Sequence, residues 1–347
     1  MSPTTPAPLN LATSGLPSTM DAVIQRRYGA PDALALETAA MPAAAYGEVL
    51  IEVGAAGVNR GDALAMRGWP YVARLSYGPT HPRRAVPGTD VAGRVIAIGP
   101  GVDGLGVGDH VVGWAASGAF AQYATADATL VVPKPDSLAF DMASAIPTAG
   151  VAALQAVRDA GRVASGMEVL VVGASGGVGS FAVQIAAAHL GARVTGVASG
   201  RNTGLVRGLG AEAAIDYTQE DFTRHAGRYE VIIDLVGNQP LSDVRRALSP
   251  DGTLVIVGGN NPRSLTGMSR FVAAALRSPF VSQRLVPLFS KPDPDDLALL
   301  VEMVDAGTIR PVVDRTFDLA RAVDAITDIE SAPARGKVII TTGREAW

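Results

Sequence analysis

The stretch VLVVGASGGVGSFAVQIAAAHLGARVTGVASG (Val169–Gly200) decides the fold. It opens on a short β-branched run, Val169–Gly173, apolar throughout, which is the pattern of a parallel strand covered on both faces. A helical stretch, Ser180–Leu190, follows; Gly191 stops it, and Ala192–Ala198 is a second apolar run. Strand, helix, strand of this length is a parallel crossover unit. Its first turn, Gly173-Ala174-Ser175-Gly176-Gly177-Val178-Gly179, reads from Ala174 as A-x-G-x-x-G. Gly176 and Gly177 let backbone approach a pyrophosphate, and Gly179 lets the helix pack close to the strand. The helix N-terminus supplies free N–H groups and the positive end of the dipole. Glycine-rich turns also arise for packing alone, but here strand, helix and second strand stand where a dinucleotide fingerprint requires them. The predicted cradle is Ser175, Gly176, Gly177 and Val178.

The end of the second strand selects the dinucleotide. A carboxylate there bonds the ribose 2′-OH of NAD and repels a 2′-phosphate. From Arg193 to Ala211 there is no Asp or Glu, and the strand runs into Ser199-Gly200-Arg201-Asn202. Ser199, Arg201 and Asn202 therefore predict NADP(H), the alternative being that Arg201 is an ordinary surface charge.

Working outward, Val231–Gly237 and Thr253–Gly259 repeat the continuous apolar pattern, with a helical segment around Leu241–Leu248 between them. An α/β, doubly wound parallel-sheet (Rossmann) domain over residues 148–290 is the reading. Upstream, EVLIEV (Glu48–Val53), Val91–Ile98, DHVVG (Asp109–Gly113) and TLVV (Thr129–Val132) are short runs punctuated by Gly and Pro, the rhythm of an antiparallel β-barrel. Residues 295–306 read as an amphipathic helix, and RPVVDRTFDL and GKVIITTG as strands returning to the barrel, which then spans 20–147 and 291–347. Residues 1–19, rich in Pro, Ser and Thr with no apolar face, are expected to be a mobile tail.

Composition narrows the function. With 347 residues, 48% of them hydrophobic, the chain can bury two cores. Lys+Arg number 29 against 33 Asp+Glu, a net charge of −4 that offers no basic field for nucleic acid. There is no Cys, which removes thiolate nucleophiles and every Cys-ligated metal site. Ala143–Val157, the most apolar stretch, carries Pro147 and Gly150 and is too short for a membrane span. Residues 1–25 lack Lys and Arg, so neither a secretory n-region nor an Arg-rich presequence is read, and a cytoplasmic location is the expectation.

The segments AAGVNRGDALAMRG (Ala55–Gly68), PGTDVAGRVIAIGPGV (Pro87–Val102), VGDHVVG (Val107–Gly113), GAFAQYATA (Gly118–Ala126), GAEAAIDYTQEDF (Gly210–Phe222) and ARGKVII (Ala334–Ile340), together with the glycine loop, resemble the zinc-independent, quinone oxidoreductase-like branch of the medium-chain dehydrogenase/reductase superfamily. The resemblance implies that the barrel is GroES-like. Zinc-dependent members carry Cys where Asn59 stands and His–Glu where Thr89–Asp90 stands, so no metal is expected. It implies further that nicotinamide and substrate lie between the domains, near Asn59, Asp62, Thr148, the Val236–Gly237 turn and the Val257-Gly258-Gly259 turn. Asn59 would offer its amide to substrate or cofactor, with a plain turn residue as the alternative. Asp62 would orient its neighbours or cap a helix. Thr148 would approach the nicotinamide ribose or cap a helix. Tyr217 would pack beside the adenosine 2′-phosphate or simply fill the strand end. Some relatives carry Tyr where this chain has Leu64, so no tyrosine proton donor is assigned.

The activity this implies is an NADPH-dependent oxidoreductase acting on a small molecule, with hydride going to an activated C=C of an α,β-unsaturated carbonyl or to a quinone. An enoyl-thioester reductase, or an NADPH-binding protein with little turnover, fits the same loop. Relatives pair cofactor domains, and Phe271–Val281 is apolar, so a homodimer or tetramer is expected.

Overall fold

A computed structural model describes residues 16–258, 269–331 and 335–344. The predicted tail 1–19 lies mostly outside them, and the first strand begins at Thr19.

Two short strands, β1 (Thr19–Gln25) and β2 (Leu34–Ala40), pair as an antiparallel hairpin. The barrel sheet uses β3 (Glu48–Val58), β4 (Asp90–Ile98), β5 (His110–Trp114), β6 (Tyr123–Asp127) and β7 (Val131–Pro133). The cofactor-type sheet uses β8 (Glu168–Val172), β9 (Arg193–Ala198), β10 (Ala213–Asp216), β11 (Tyr229–Asp234), β12 (Leu248–Ile256) and β13 (Arg284–Pro287). Then β14 (Val313–Asp318) and β15 (Lys337–Thr341) return to the barrel sheet.

Strands β8 to β13 are all parallel, in the order β10-β9-β8-β11-β12-β13. The chain builds outward from β8 to one side and then from β11 to the other, so the order reverses between β8 and β11. In such sheets the ligand crevice lies beyond the C-terminal strand ends at that reversal. The continuous apolar runs are explained by burial on both faces: Val169, Leu170, Val171, Ile232 and Ile233 are fully buried. Helix Gly177–Gln184 covers one face, packing Phe181 and Val183 into the core, and Gly191 with φ of 70° ends the turn before β9.

The second sheet runs β14-β15-β3-β4-β5-β7, with β6 also on β3. Its longest strand, β3, has ten of its eleven residues buried because β4, β6 and β15 all pair with it. The returning strands depart from the antiparallel expectation. They pair parallel with each other across helix Ala322–Ser331, a crossover unit embedded in the barrel sheet, while β15 meets β3 antiparallel. Residues 295–306 fall on helix Pro294–Asp305, capped by Asp293, whose side chain accepts from the N–H groups of Asp295 and Asp296. No helix among the described residues is long and apolar enough to cross a membrane.

Candidate active site

Strand register brings three side chains together. Val58 of β3 pairs with Val338 of β15, so Asn59 and Lys337, one step further along each strand, meet at the same end. On the other side of β3, Gly57 pairs with Asp90 at the start of β4. A Cβ at Gly57 would lie 2.3 Å from the Ser144 carbonyl and 3.1 Å from Asp90 Cβ, so glycine leaves the room that Asp90 needs.

The resulting network is buried and directional. Lys337 Nζ donates to Asn59 Oδ1 at 2.5 Å and lies 3.3 Å from Asp90 Oδ2. Asn59 Nδ2 donates to Asp90 Oδ2 at 2.9 Å, and Thr148 Oγ1 donates to Asp90 Oδ1. Trp114 Nε1, which can only donate, reaches Thr148 Oγ1 at 3.2 Å and so turns the threonine proton toward Asp90. Lys337 is 3% exposed and Asp90 0%, whereas Asn59 and Thr148 are partly accessible. Asp90 thus receives three donors, which offset the cost of burying a carboxylate.

Thr148 does not cap its helix, Pro147–Leu154, where no side-chain cap is formed; its hydroxyl serves Asp90. Asp62 is the capping group of helix Arg60–Arg67, accepting the Asn59 backbone N–H at 2.7 Å. Burial pushes its carboxyl up to about 7, the Asn59 hydrogen bond opposing and Asp90 reinforcing the rise. The Asn59 side chain is more than a turn residue, since both of its polar atoms are engaged.

The glycine loop adjoins this cluster. Gly336 N–H donates to the Ser175 carbonyl at 2.8 Å. Gly176 is the N-cap of helix Gly177–Gln184, and a Cβ there would meet nothing closer than the Gly173 oxygen at 3.4 Å, an open face that backbone can offer to a phosphate. At Gly179 a Cβ would stand 2.1 Å from that same oxygen, so this glycine is required by helix–strand packing. Val178 is partly buried against the core.

At the end of β9 the Ser199 hydroxyl is buried without a partner among the described residues. Arg201 is exposed with no ion pair among them, and Tyr217 is exposed with its N–H on the Ala198 carbonyl at 3.2 Å. An orphaned hydroxyl, a free guanidinium and an open glycine face fit a dinucleotide bearing a 2′-phosphate. Two details correct the sequence reading. Asn202 is buried and its amide donates to Ser175 Oγ at 3.2 Å, so it braces the loop instead of facing the phosphate. A carboxylate does reach this end: β10 pairs Asp216 with Ala198, and a Cβ at Gly200 would lie 2.4 Å from Asp216 Oδ2. The acid-free window Arg193–Ala211 missed it because it arrives on a neighbouring strand.

Beyond β11, Asp234 Oδ1 accepts the N–H groups of Val236 and Gly237 at 3.1 and 2.9 Å, and its other oxygen pairs with the buried Arg270. Arg270 also donates to the Gln239 carbonyl at 2.7 Å. Val257 and Gly258 donate to the Asp234 carbonyl, which packs the two predicted nicotinamide turns side by side; Gly259 lies outside the described residues. Val236 borders the glycine loop, its Cγ2 being 2.8 Å from where a Cβ on Gly173 would stand.

Asn59, Thr89 and Asp90 do not make a zinc site. They offer one carboxylate, and the Lys337 ammonium already contacts both Asn59 and Asp90. No group of three His, Cys, Asp or Glu among the described residues could hold a metal. Sequence reasoning missed Lys337, whose signal was a lone Lys at the head of an apolar strand in a chain with only three.

Residues 45–136 match the alcohol dehydrogenase GroES-like domain, and residues 209–340 match a family described as zinc-binding dehydrogenase. The chain is 33% identical over 338 residues to 2-methylene-furan-3-one reductase of Solanum lycopersicum, covering 94% of this chain and 80% of that protein. It is 32% identical over 351 residues to the chloroplastic NADPH-dependent alkenal/one oxidoreductase of Arabidopsis thaliana, covering 95% and 81%. Among solved structures, the quinone oxidoreductase from Coxiella burnetii superposes with a TM-score of 0.82 at 29% identity, over 93% of this chain and 99% of that one.

Proposed function

The chain belongs to the medium-chain dehydrogenase/reductase superfamily, as a zinc-independent oxidoreductase related to quinone and alkenal/one reductases that uses NADP(H), and from that premise we propose that it reduces the activated C=C of small α,β-unsaturated carbonyls, quinones being the second acceptor class. The observation that carries this is the buried Lys337–Asp90–Asn59 network standing where a metal centre would be. A simple alcohol or ketone needs a Lewis acid to hold its alkoxide. A conjugated carbonyl carries its own electron sink, so the protein need only orient the acceptor carbon, exclude water and hold the oxygen on which charge develops.

NADPH, when bound, supplies the hydride. The backbone at Gly176 and the helix N-terminus would hold its pyrophosphate, Ser199 and Arg201 its 2′-phosphate, and Tyr217 would flank the adenosine end. Asn59, a partly accessible member of its network, faces the substrate oxygen with an amide N–H. As hydride bonds to the β-carbon, the C=C electron pair moves toward the carbonyl oxygen, Asn59 stabilises the resulting enolate, and the α-carbon takes a proton from water.

NADPH consumption across enals, enones, quinones, simple aldehydes and enoyl thioesters tests the reading, before and after exhaustive chelation. Turnover with enals, enones or quinones, unchanged by chelator, is the expected result. Turnover confined to simple aldehydes, or lost with chelator, refutes it. The proposed assembly is a homodimer or larger: β13 is an edge strand of its sheet among the described residues, and Val272, Leu276 and Phe280 beside it are exposed. A monomer by light scattering at micromolar concentration would contradict that.

A further inference from the structure

Asn59 has two faces that differ only in whether oxygen or nitrogen points a given way, and its partners leave it no choice. Lys337 can only donate, so it demands Oδ1; Asp90 Oδ2, which already faces the Lys337 ammonium, accepts, so it demands Nδ2. An asparagine between two water molecules could flip, but one between an ammonium and a carboxylate cannot do so without opposing donor to donor and acceptor to acceptor. One hydrogen of Nδ2 is used on Asp90, and the other has no partner among the described residues. Asn59 is partly accessible while both partners are buried.

The lysine is placed with some precision. Its position in β15 is fixed by the Val338–Val58 pairing, its stem lies against the glycine loop with Cδ 3.1 Å from where a Gly177 Cβ would stand, and Gly336 before it bonds Ser175. The site that holds the cofactor loop and the site that holds the amide therefore share one short segment of chain.

We propose that Lys337 is a positioning residue for the reduction: through its hydrogen bond to Oδ1 it locks the Asn59 amide in the one orientation that presents an N–H donor to the developing enolate oxygen, and its charge polarises that donor. Lys337 does not touch the substrate. This rests on the reading of the chain as an enone reductase, and the experiment separates the two.

The kinetic arm compares wild type, Lys337→Met, Asn59→Ala and the combination of both. Losing one oriented oxyanion donor costs on the order of a hundredfold in kcat. Lys337→Met is expected to lower kcat by about that factor with little change in KM for the enone, and to have no further effect in the Asn59→Ala background, because a donor that is absent cannot be misdirected. Independent, multiplying losses would overturn the proposal, as would a Lys337→Met enzyme whose defect lies wholly in NADPH affinity. Since Lys337→Met alone leaves the Asp90 carboxylate buried without a counter-charge, the double variant Lys337→Met/Asp90→Asn, which removes both charges of the pair, guards against simple unfolding. If it melts near the wild-type temperature and retains kcat within threefold, the proposal fails.

The second arm needs no turnover. The side-chain amide 1H–15N signal of Asn59, identified by its loss in Asn59→Ala, is expected to be strongly shifted and slow to exchange in wild type and to collapse toward the solvent-exposed position in Lys337→Met/Asp90→Asn. An unchanged signal overturns the lock. A locked signal in a protein that reduces no member of the panel overturns the functional reading alone.

Discussion

Gly176 and Gly179 sit three residues apart in one loop and are glycines for different reasons. A Cβ on Gly176 would make one ordinary van der Waals contact, 3.4 Å from the Gly173 carbonyl oxygen, while one on Gly179 would be driven to 2.1 Å from that same atom. The first is partly accessible and the second is buried.

Substitution should separate them. Gly176→Ala has φ of −79°, which alanine accepts, so the melting temperature should hold while the methyl group obstructs the pyrophosphate and NADPH binding weakens. Gly179→Ala must push helix from strand, an overpacking cost of about 1–3 kcal/mol, and should lower the melting temperature as well. Thermal melts and NADPH titration of the two variants check the contrast; equal loss of stability in both would contradict it.

Cofactor choice is predicted to reside in Arg201. Removing one charge-assisted hydrogen bond costs about 1.5–3 kcal/mol, so Arg201→Ala should weaken NADPH binding roughly ten- to a hundredfold and leave NADH nearly unchanged, the Asp216 carboxylate remaining at the same strand end to repel a phosphate. Ser199→Asp should turn the preference further toward NADH. Asn202→Ala should weaken both cofactors, since Asn202 braces Ser175. Fluorescence titration with each dinucleotide distinguishes these patterns.

Asp62 gives stability a pH dependence of unusual sign for a carboxylate. Its pKa stands at about 7 in the folded chain, above the roughly 3.9 of an unfolded aspartate, so the folded state binds its proton more tightly. The contribution is fully present below about pH 4 and is lost as pH rises through 7, by at most about 1.4 kcal/mol per pH unit. Asp62→Asn keeps an acceptor for the Asn59 N–H and removes the proton. Denaturant melts between pH 4 and 8 should show the variant gaining on wild type as pH rises; a constant difference would show that Asp62 does not titrate in this window.

Much of the fold was legible because it is written locally. Continuous apolar runs betray β8, β9, β11 and β12, and the glycine loop betrays the ligand crevice. The short strand β13, Arg284–Pro287, carries no such run and is held by pairing with β12. The parallel pairing of β14 with β15 likewise depends on an intervening helix, not on either strand's pattern. In the site, Asn59 and Thr148 were visible as candidates, but their roles come from partners far away in sequence: Lys337 and Asp90 are 247 residues apart and are joined only by strand register. A side chain's chemistry can be read from its type, while its partner can be read only from the fold.

The carbon that receives the hydride distinguishes conjugate reduction from carbonyl reduction. The purified protein is given NADPH deuterated at nicotinamide C4 and an α,β-unsaturated ketone, and the product is analysed by NMR. A saturated ketone with deuterium on the β-carbon, solvent hydrogen on the α-carbon and the carbonyl intact is the expected product. Deuterium on a carbinol carbon, marking direct carbonyl reduction, would contradict it.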